Sequence, residues 1–158
     1  MKVEHTFKPI YNENSRILIL GSIPSVKSRE NSFYYGHSKN RFWKVIASIF
    51  NESVPEKIKD KTNLILKHNL AIYDVIESCD IEGSSDSSIR NVKLNNISDV
   101  IKNSDIKKII FNGNKAYELY NKYEKNKFEN IVCLPSTSPA NAKFSFNELV
   151  KIWGENIK

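Results

Sequence analysis

Side chains that could bind and orient a planar ligand are concentrated in two short stretches of this chain. The first runs over Gly21–Ser25 and resumes over Tyr34–Trp43, and the second runs over Leu134–Ala142. Both stretches are rich in Gly, Pro, Ser, Asn and Tyr, and neither contains a carboxylate pair or a cluster of metal ligands. These residue types favour ligand binding and positioning, and they do not indicate a metal centre or the two-carboxylate hydrolysis of sugars.

Three kinds of side chain in or near these stretches have both a structural and a chemical interpretation. Asn40 precedes an apolar helical pattern, so its amide can cap that helix or orient a water or a ligand. It cannot act as a general base, because an amide does not titrate near neutral pH. The cluster of Phe33, Tyr34 and Tyr35 can belong to the core or offer a stacking surface. Asp74 can close a turn or accept a hydrogen bond from a ring N–H.

The remaining motifs mainly exclude other chemistries. The turn at Gly21 has neither of the glycine patterns GxxxxGK[ST] and GxGxxG, so it either lets a ligand approach the backbone or forms an ordinary turn. His37 lies in a candidate motif, but no GxSxG elbow is present to support Ser-His-Asp catalysis. Cys79 and Cys133 form no CxxC pair, and we expect both to be reduced thiols.

Short apolar runs must position these residues. We predict strands over Ile17–Leu20, Leu70–Val75, Lys108–Phe111 and Asn130–Leu134, and helices over Arg41–Phe50, Lys57–His68, Leu94–Asn103, Lys115–Tyr123 and Asn147–Ile157. The longest irregular stretch is expected from Ser78 to Asn91. The alternation predicts a three-layer α/β/α sandwich around a central, mostly parallel four-stranded sheet. Since loops leaving the carboxyl ends of parallel strands meet at one crevice, both stretches should line a single site.

Composition is that of an ordinary globular protein. The chain has 158 residues, of which 40% are hydrophobic and 27% charged, which predicts a single domain over residues 1–158. It has no membrane-length apolar run and no signal-peptide pattern, so we expect a cytoplasmic protein. The net charge of +6 favours polyanions such as nucleic acid. Much of that excess is lysine scattered among asparagine, as over residues 121–127, which is more typical of a solvated surface.

Taken together, the motifs resemble those of the uracil-DNA glycosylase superfamily, and within it the hypoxanthine-DNA glycosylases are the most similar. The resemblance rests on three patterns in the same order: Gly-Ser-x-Pro-Ser from Gly21, Tyr-Tyr-Gly-His-x-x-Asn-x-Phe-Trp from Tyr34, and Ser-Thr-Ser-Pro-Ala-Asn-Ala from Ser136. Asp74–Val75, Gly83–Ile89 and Phe111–Gly113 also fit. The resemblance covers nearly the whole chain.

The resemblance implies two catalytic residues. Superfamily members usually place an Asp or Asn that positions the attacking water in the loop after the first strand, where this chain has Ile23. Hypoxanthine-DNA glycosylases share that loss, and the Asn that matches Asn40 takes over the role. Ser136 stands where uracil enzymes have a His that stabilises the departing base. Asn40 and Ser136 are therefore the implied catalytic pair.

The resemblance also implies how DNA is bound. Tyr35 matches the aromatic residue that stacks on the flipped base, and Asp74 matches an Asn that reads the base edge in uracil-specific relatives. The implied base-binding residues are Gly21, Ser22, Ile23, Tyr35, Asp74 and Asn112. Ala140 lies near the wedge position, often Leu in relatives, which predicts a weaker wedge. The expected contacts to the DNA backbone are Lys39, Ser136, Thr137, Ser138, Ala140, Asn141 and Lys143.

The implied activity is monofunctional hydrolysis of the N-glycosidic bond of a deaminated base, hypoxanthine first, in base excision repair. Two alternatives stay open: a mismatch-type uracil-DNA glycosylase, and a catalytically silent nucleic-acid-binding member of the same fold. We expect a monomer without cofactor or metal. Its partner would be DNA that contains a deaminated base, and no membrane contact is expected.

Overall fold

A parallel four-stranded sheet forms the centre of the computed structural model, which describes residues 2–4, 7–23, 33–82 and 88–158. The strands are β1 (Lys2–Glu4), β2 (Ile17–Gly21), β3 (Leu70–Asp74), β4 (Ile76–Asp80), β5 (Arg90–Leu94), β6 (Lys108–Asn112) and β7 (Ile131–Leu134). The helices are α1 (Phe42–Ile49), α2 (Ile58–Lys67), α3 (Ile97–Lys102), α4 (Asn114–Tyr123) and α5 (Phe146–Ile157). The central sheet has the order β3-β2-β6-β7, and each neighbouring pair is parallel.

Helices cover both faces of this sheet, which confirms the three-layer α/β/α sandwich. Successive residues of a strand point to opposite faces. Ile19, Ile72 and Ile110 therefore belong to a core shared with α1, α2 and α5. Leu18, Leu20, Ala71, Ile109 and Phe111 belong to a second core with α3 and α4. Because both faces are buried, the strands are continuously apolar rather than alternating, as in other parallel sheets.

A second, smaller sheet was missed by the sequence patterns. It has three antiparallel strands in the order β1-β4-β5. The expectation of an irregular stretch from Ser78 to Asn91 was therefore wrong at both ends, since β4 reaches Asp80 and β5 begins at Arg90. The predicted helix from Leu94 was also too long, because α3 begins at Ile97. These three strands are short and largely polar, so their apolar pattern was too weak to predict them.

Strand register brings the candidate residues to one edge of the central sheet. Gly21 pairs with Asp74 at the carboxyl ends of β2 and β3, and Asn112 pairs with Leu134 at the ends of β6 and β7. Helix α1 begins beside this edge, because the backbone N–H of Arg41 donates to the carbonyl of Thr137, 3.1 Å away. Among the described residues, no helix combines the length and apolar character needed to cross a bilayer.

Candidate active site

The base of the site is formed where Gly21, Asp74 and Tyr35 meet. A Cβ atom placed on Gly21 would collide with Oδ1 of Asp74 and would stand 2.9 Å from the hydroxyl oxygen of Tyr35. The absence of a side chain at position 21 is thus a matter of space, since positive φ is found for Gly113 and not for Gly21. Asp74 is 3% exposed. The buried carboxylate is a hydrogen-bond acceptor at the carboxyl edge of the sheet.

Tyr35 combines a packed ring with a buried hydroxyl that has no hydrogen-bond partner among the described residues. Its ring stacks on Phe42 with centroids 4.2 Å apart, and its φ of 52° lies in the left-handed region that side chains rarely adopt. Burial raises the pKa of the Tyr35 hydroxyl well above its usual value, the Asp74 carboxylate raises it further, and the nearby amide of Asn112 opposes both. The hydroxyl is therefore a neutral O–H donor at physiological pH.

The Asn40 side chain is held by two donors from different parts of the chain. Its Oδ1 accepts from the backbone N–H of Phe42 and from the hydroxyl of Thr137, each at 2.9 Å. The Thr137 hydroxyl in turn accepts from Nδ2 of Asn112 at 3.0 Å. The backbone N–H of Thr137 donates to Oδ1 of the same Asn112 at 3.0 Å. A hydrogen-bonded chain therefore connects the end of β6 to the start of α1.

These contacts fix which end of the Asn40 amide is available to a ligand. A backbone N–H can only donate, so the atom opposite Phe42 must be the amide oxygen. No hydrogen bond to Nδ2 of Asn40 is made within the described part of the chain. The amide oxygen thus binds the first N–H of α1, but Asn40 is not the N-cap that one sequence interpretation predicted: the N-cap is Arg41, which makes no side-chain capping hydrogen bond. The Asn40 amide still has two N–H donors to offer.

The stretch after β7 is tied down by its own polar groups. Asn141 Nδ2 donates to the carbonyl of Ser136 at 3.0 Å, and the Ser136 hydroxyl accepts from the N–H of Ser138 at 3.1 Å. Gly113, with φ of 97°, lets this stretch approach β6, because a Cβ there would stand 2.9 Å from Cβ of Ser136. The segment is therefore a defined surface beside Asn40.

Arg41 also holds this segment in place. The sequence patterns did not single it out as a site residue. Its guanidinium donates to three carbonyls: Phe144 at 2.7 Å through Nη1, and Asn141 at 2.9 Å and Ser138 at 3.2 Å through Nη2. None of the ion pairs found among the described residues involves Arg41. The available signal in the sequence was the position of Arg41 next to Asn40. An arginine at such a position can bind several fixed carbonyls at once, because its guanidinium group is a rigid, planar set of donors.

The other predicted site residues lie around this centre with different degrees of exposure. Ser22 and Ile23 follow β2, and the Ser22 carbonyl accepts from Ile76 N–H at 3.1 Å. The exposed residues are Lys39, Ala140 and Lys143, while Ser136, Ser138 and Asn141 are partly buried. Pro24, Ser25 and the 83–87 part of the predicted motifs lie outside the described residues.

Thr137 requires a correction. A contact between its side chain and a DNA phosphate was expected, but Thr137 is 0% exposed. Its hydroxyl already donates to Asn40 and accepts from Asn112. Sequence reasoning treated the three hydroxyls of Ser136, Thr137 and Ser138 as equivalent, and only tertiary packing distinguishes the inward one from its neighbours.

The arrangement supplies donors and one acceptor around a crevice, without a pair of catalytic acids. The acceptor is the Asp74 carboxylate, and the donors are the Tyr35 hydroxyl and the Asn40 amide. The described residues contain no group of three or more His, Cys, Asp or Glu side chains arranged to hold a metal ion. Such a site can bind a planar ring by its edge and stabilise charge that develops on it.

Comparisons with known proteins give a consistent picture. The sequence profile of the uracil DNA glycosylase superfamily matches residues 8–155. A hypoxanthine DNA glycosylase from Methanosarcina acetivorans is 35% identical over 147 residues, with 92% of each chain covered. One from Methanosarcina barkeri is 30% identical over 155 residues, with 96% of each covered. A candidate uracil DNA glycosylase from Methanosarcina acetivorans, solved by solution NMR, superposes with a TM-score of 0.83 at 31% identity, covering 98% of this chain and 96% of that one.

Proposed function

The chain belongs to the uracil-DNA glycosylase superfamily, and from that premise we propose that it removes hypoxanthine from DNA. The reaction is hydrolysis of the N-glycosidic bond between the base and deoxyribose, which leaves an abasic site for base excision repair. The two Methanosarcina relatives that carry the name hypoxanthine DNA glycosylase support this choice of base. A monomer that needs no cofactor is part of the proposal.

One observation carries the proposal: Tyr35, Asp74 and Asn40 converge at the carboxyl edge of the parallel sheet. Their contacts to Gly21, Phe42 and Thr137 hold all three in place. Ligands of open α/β sheets bind in the crevice at this edge. The grouping provides an aromatic ring, an acceptor and a donor, which are the groups needed to bind a heterocyclic base.

Base recognition begins with eversion of the nucleotide, because the glycosidic bond is inaccessible in a stacked duplex. Eversion costs a few kcal/mol, and least for a mispaired base such as hypoxanthine opposite thymine. Tyr35 then contacts the ring, and stacking of this kind contributes about 1–3 kcal/mol per base. Asp74 accepts a hydrogen bond from the ring N–H beside the hypoxanthine carbonyl.

Bond cleavage relies on stabilising the leaving base. As the glycosidic bond breaks, positive charge develops on the sugar and negative charge on the base. The two site motifs contain no carboxylate pair for a two-acid scheme, so we assign the rate to fixed donors near the base and to a positioned water. Asn40 and Ser136 are the side chains proposed for these tasks. No lysine is assigned a Schiff-base role, so strand cleavage should require separate treatment of the abasic product.

The exposed lysines beside the site account for binding of the DNA backbone. Lys39 precedes Asn40 directly, and Lys143 lies in the segment that Arg41 holds. Hydroxyl and lysine contacts to phosphates position a duplex without reading its sequence. Ser136, Ser138 and Asn141 belong to the same proposed surface.

The proposal is tested with duplex oligonucleotides that contain a single inosine, uracil or xanthine opposite each normal base. The released base is quantified by chromatography, and abasic sites are revealed by alkali. Hypoxanthine release, with strand cleavage only after alkali, is the expected result. Release of uracil alone would instead establish the uracil enzyme, and binding of all duplexes without release of any base would establish a silent binding protein.

A further inference from the structure

We propose that Thr137 is a positioning residue that locks the Asn40 amide with its N–H donors facing the ligand. This inference rests on the proposed glycosylase function and assigns the way in which Asn40 serves it. Asn40 then acts by donating a hydrogen bond, and not by accepting one from the attacking water.

The lock has two parts that agree on the orientation of the amide. The backbone N–H of Phe42 requires an acceptor and therefore faces Oδ1. The Thr137 hydroxyl accepts from Asn112, which leaves its own proton to donate to the same Oδ1. Rotating the Asn40 amide by 180° would place its N–H against the Phe42 N–H and would leave the Thr137 proton without its acceptor, so the observed orientation is favoured.

The hydroxyl of Thr137 is not needed to join the strand loops to each other. The backbone N–H of Thr137 already donates to Asn112, and the Arg41 N–H donates to the Thr137 carbonyl. What the hydroxyl adds is the link from Asn112 to Asn40. A buried group that makes two hydrogen bonds in series can hold its neighbour more rigidly than either bond alone.

The exposed end of the amide determines the chemistry that Asn40 can perform. With Oδ1 occupied twice, the amide has N–H groups left, and these bind atoms that carry negative charge. A donor directed at the oxygen of a water would withdraw electron density from the nucleophile. The same donor directed at the departing base would stabilise the charge that grows there in the transition state. The geometry therefore assigns Asn40 to the leaving base.

The first experiment removes the hydroxyl without changing the shape of the side chain. Thr137→Val should lower the single-turnover rate of hypoxanthine release by at least about 10-fold, while the Kd for the DNA changes by less than about 2-fold, since the lost interaction matters in the transition state. Thr137→Ser retains the hydroxyl and should recover most of the rate. Thr62→Val, the same change on α2, is the matched control, and circular dichroism and Tm verify that each variant is folded.

The second experiment exchanges the donor for an acceptor. In Asn40→Asp, one carboxylate oxygen can still accept from Phe42 and Thr137, but the other replaces Nδ2. If Asn40 donates, this variant should lose at least about 100-fold in rate at neutral pH, as when an oxyanion-hole donor is removed. Its rate relative to that of the native protein should rise as pH falls, because the protonated carboxyl group regains a donor.

The outcomes separate this inference from the proposed function. If the native protein releases no base, the function fails. If the native protein is active and Thr137→Val retains its full rate, the positioning role is refuted. If Asn40→Asp equals or exceeds the native rate at neutral pH, Asn40 acts as an acceptor toward water and the donor assignment is refuted.

Discussion

Gly21 and Asp74 are partners on adjacent parallel strands, and the Asp74 carboxylate fills the space in which a side chain at position 21 would stand. The hydroxyl of Tyr35 borders the same space. A glycine at the end of β2 is therefore what allows an acidic group and a phenol to approach one backbone segment. The composition of the site depends on this one missing side chain.

Gly21→Ala should disturb both neighbours at once. A methyl group would overlap Oδ1 of Asp74 and crowd the Tyr35 hydroxyl, and overpacking of this kind typically costs about 1–3 kcal/mol. We expect a lower Tm and at least a 10-fold loss of base release, since about 1 Å of misplacement in a site can cost far more. Thermal denaturation and single-turnover kinetics measure the two effects.

Gly154→Ala in α5 is the matched control for that change. A Cβ at Gly154 would meet Ile49 at 3.7 Å, which is ordinary contact, and alanine in a helix interior is favoured by about 0.5–1 kcal/mol. This variant should be at least as stable as the native protein and fully active. Equal loss of activity in both alanine variants would show that the space at Gly21 has no special role.

Tyr35→Phe should separate stability from activity. The ring can keep its stacking on Phe42, while the buried hydroxyl that lacks a partner among the described residues is removed. Removing a buried hydroxyl that lacks a partner should leave the free energy of unfolding unchanged or raise it by up to about 1 kcal/mol. Base release should nevertheless fall by about 10-fold or more, because the hydroxyl borders the Asp74 carboxylate and helps to fix its position at the base of the site. Unchanged release in Tyr35→Phe would limit Tyr35 to packing.

Asp74→Asn tests which base edge the buried group reads. The amide has nearly the same shape as the carboxylate but presents both a donor and an acceptor. We expect the ratio of hypoxanthine to uracil release to fall by at least about 10-fold. The ring N–H of uracil lies between two carbonyls, so a carboxylate that accepts from it must place its other oxygen against a carbonyl, whereas the ring N–H of hypoxanthine has a C–H on one side. An amide removes this repulsion for uracil. Competition between the two substrates in one reaction measures this ratio. Asp60→Asn, at an exposed position of α2, should leave the ratio unchanged. A shift as large as that of Asp74→Asn would contradict the role of Asp74 in reading the base edge.

Most of the central sheet was predictable because its strands are mostly apolar runs, three of which end in Gly21, Asp74 or Asn112. The register that pairs Gly21 with Asp74 follows from these runs and from parallel topology. The small sheet was not predictable in the same way. Its β5 strand is mostly polar, and the pairing of β5 with β4 is interrupted by register shifts. Its β1 strand pairs with the distant β4, with Lys2 opposite Asp80.

The positions of the site loops were predictable, but the roles of individual side chains were not. Asn40 could be identified as a cap or an orienting group, and it lies one residue before the N-cap, Arg41, with its amide oxygen bound to the first N–H of α1. The second contact that holds its amide oxygen comes from Thr137, which lies 97 residues away. The clamp formed by Arg41 likewise acts on carbonyls about 100 residues later. Contacts across such separations leave no local pattern in a single sequence.

Arg41→Lys should loosen the segment over residues 138–144 while keeping the positive charge. A lysine ammonium is a point donor and cannot span the three carbonyls that the guanidinium reaches. We expect a higher Kd for DNA and faster amide hydrogen exchange in this segment. The free energy of unfolding should fall by about 1–3 kcal/mol. Arg16→Lys at the exposed start of β2 is the control. Native-like exchange over 138–144 in Arg41→Lys would show that the clamp is dispensable.

The lysines beside the site should be distinguishable from the general basic surface by their salt dependence. Lys39 and Lys143 are exposed and lie next to Asn40 and in the segment held by Arg41, respectively. If each lysine contacts a phosphate, Lys39→Ala and Lys143→Ala should each reduce, by about 1, the magnitude of the slope of the log binding constant against the log salt concentration. Each variant should also weaken binding to all duplexes by the same factor. Lys125→Ala removes an equally exposed charge from the lysine- and asparagine-rich segment, and it should leave the slope unchanged. Equal slopes for all three variants would mean that DNA responds to overall charge and not to a binding surface beside the site.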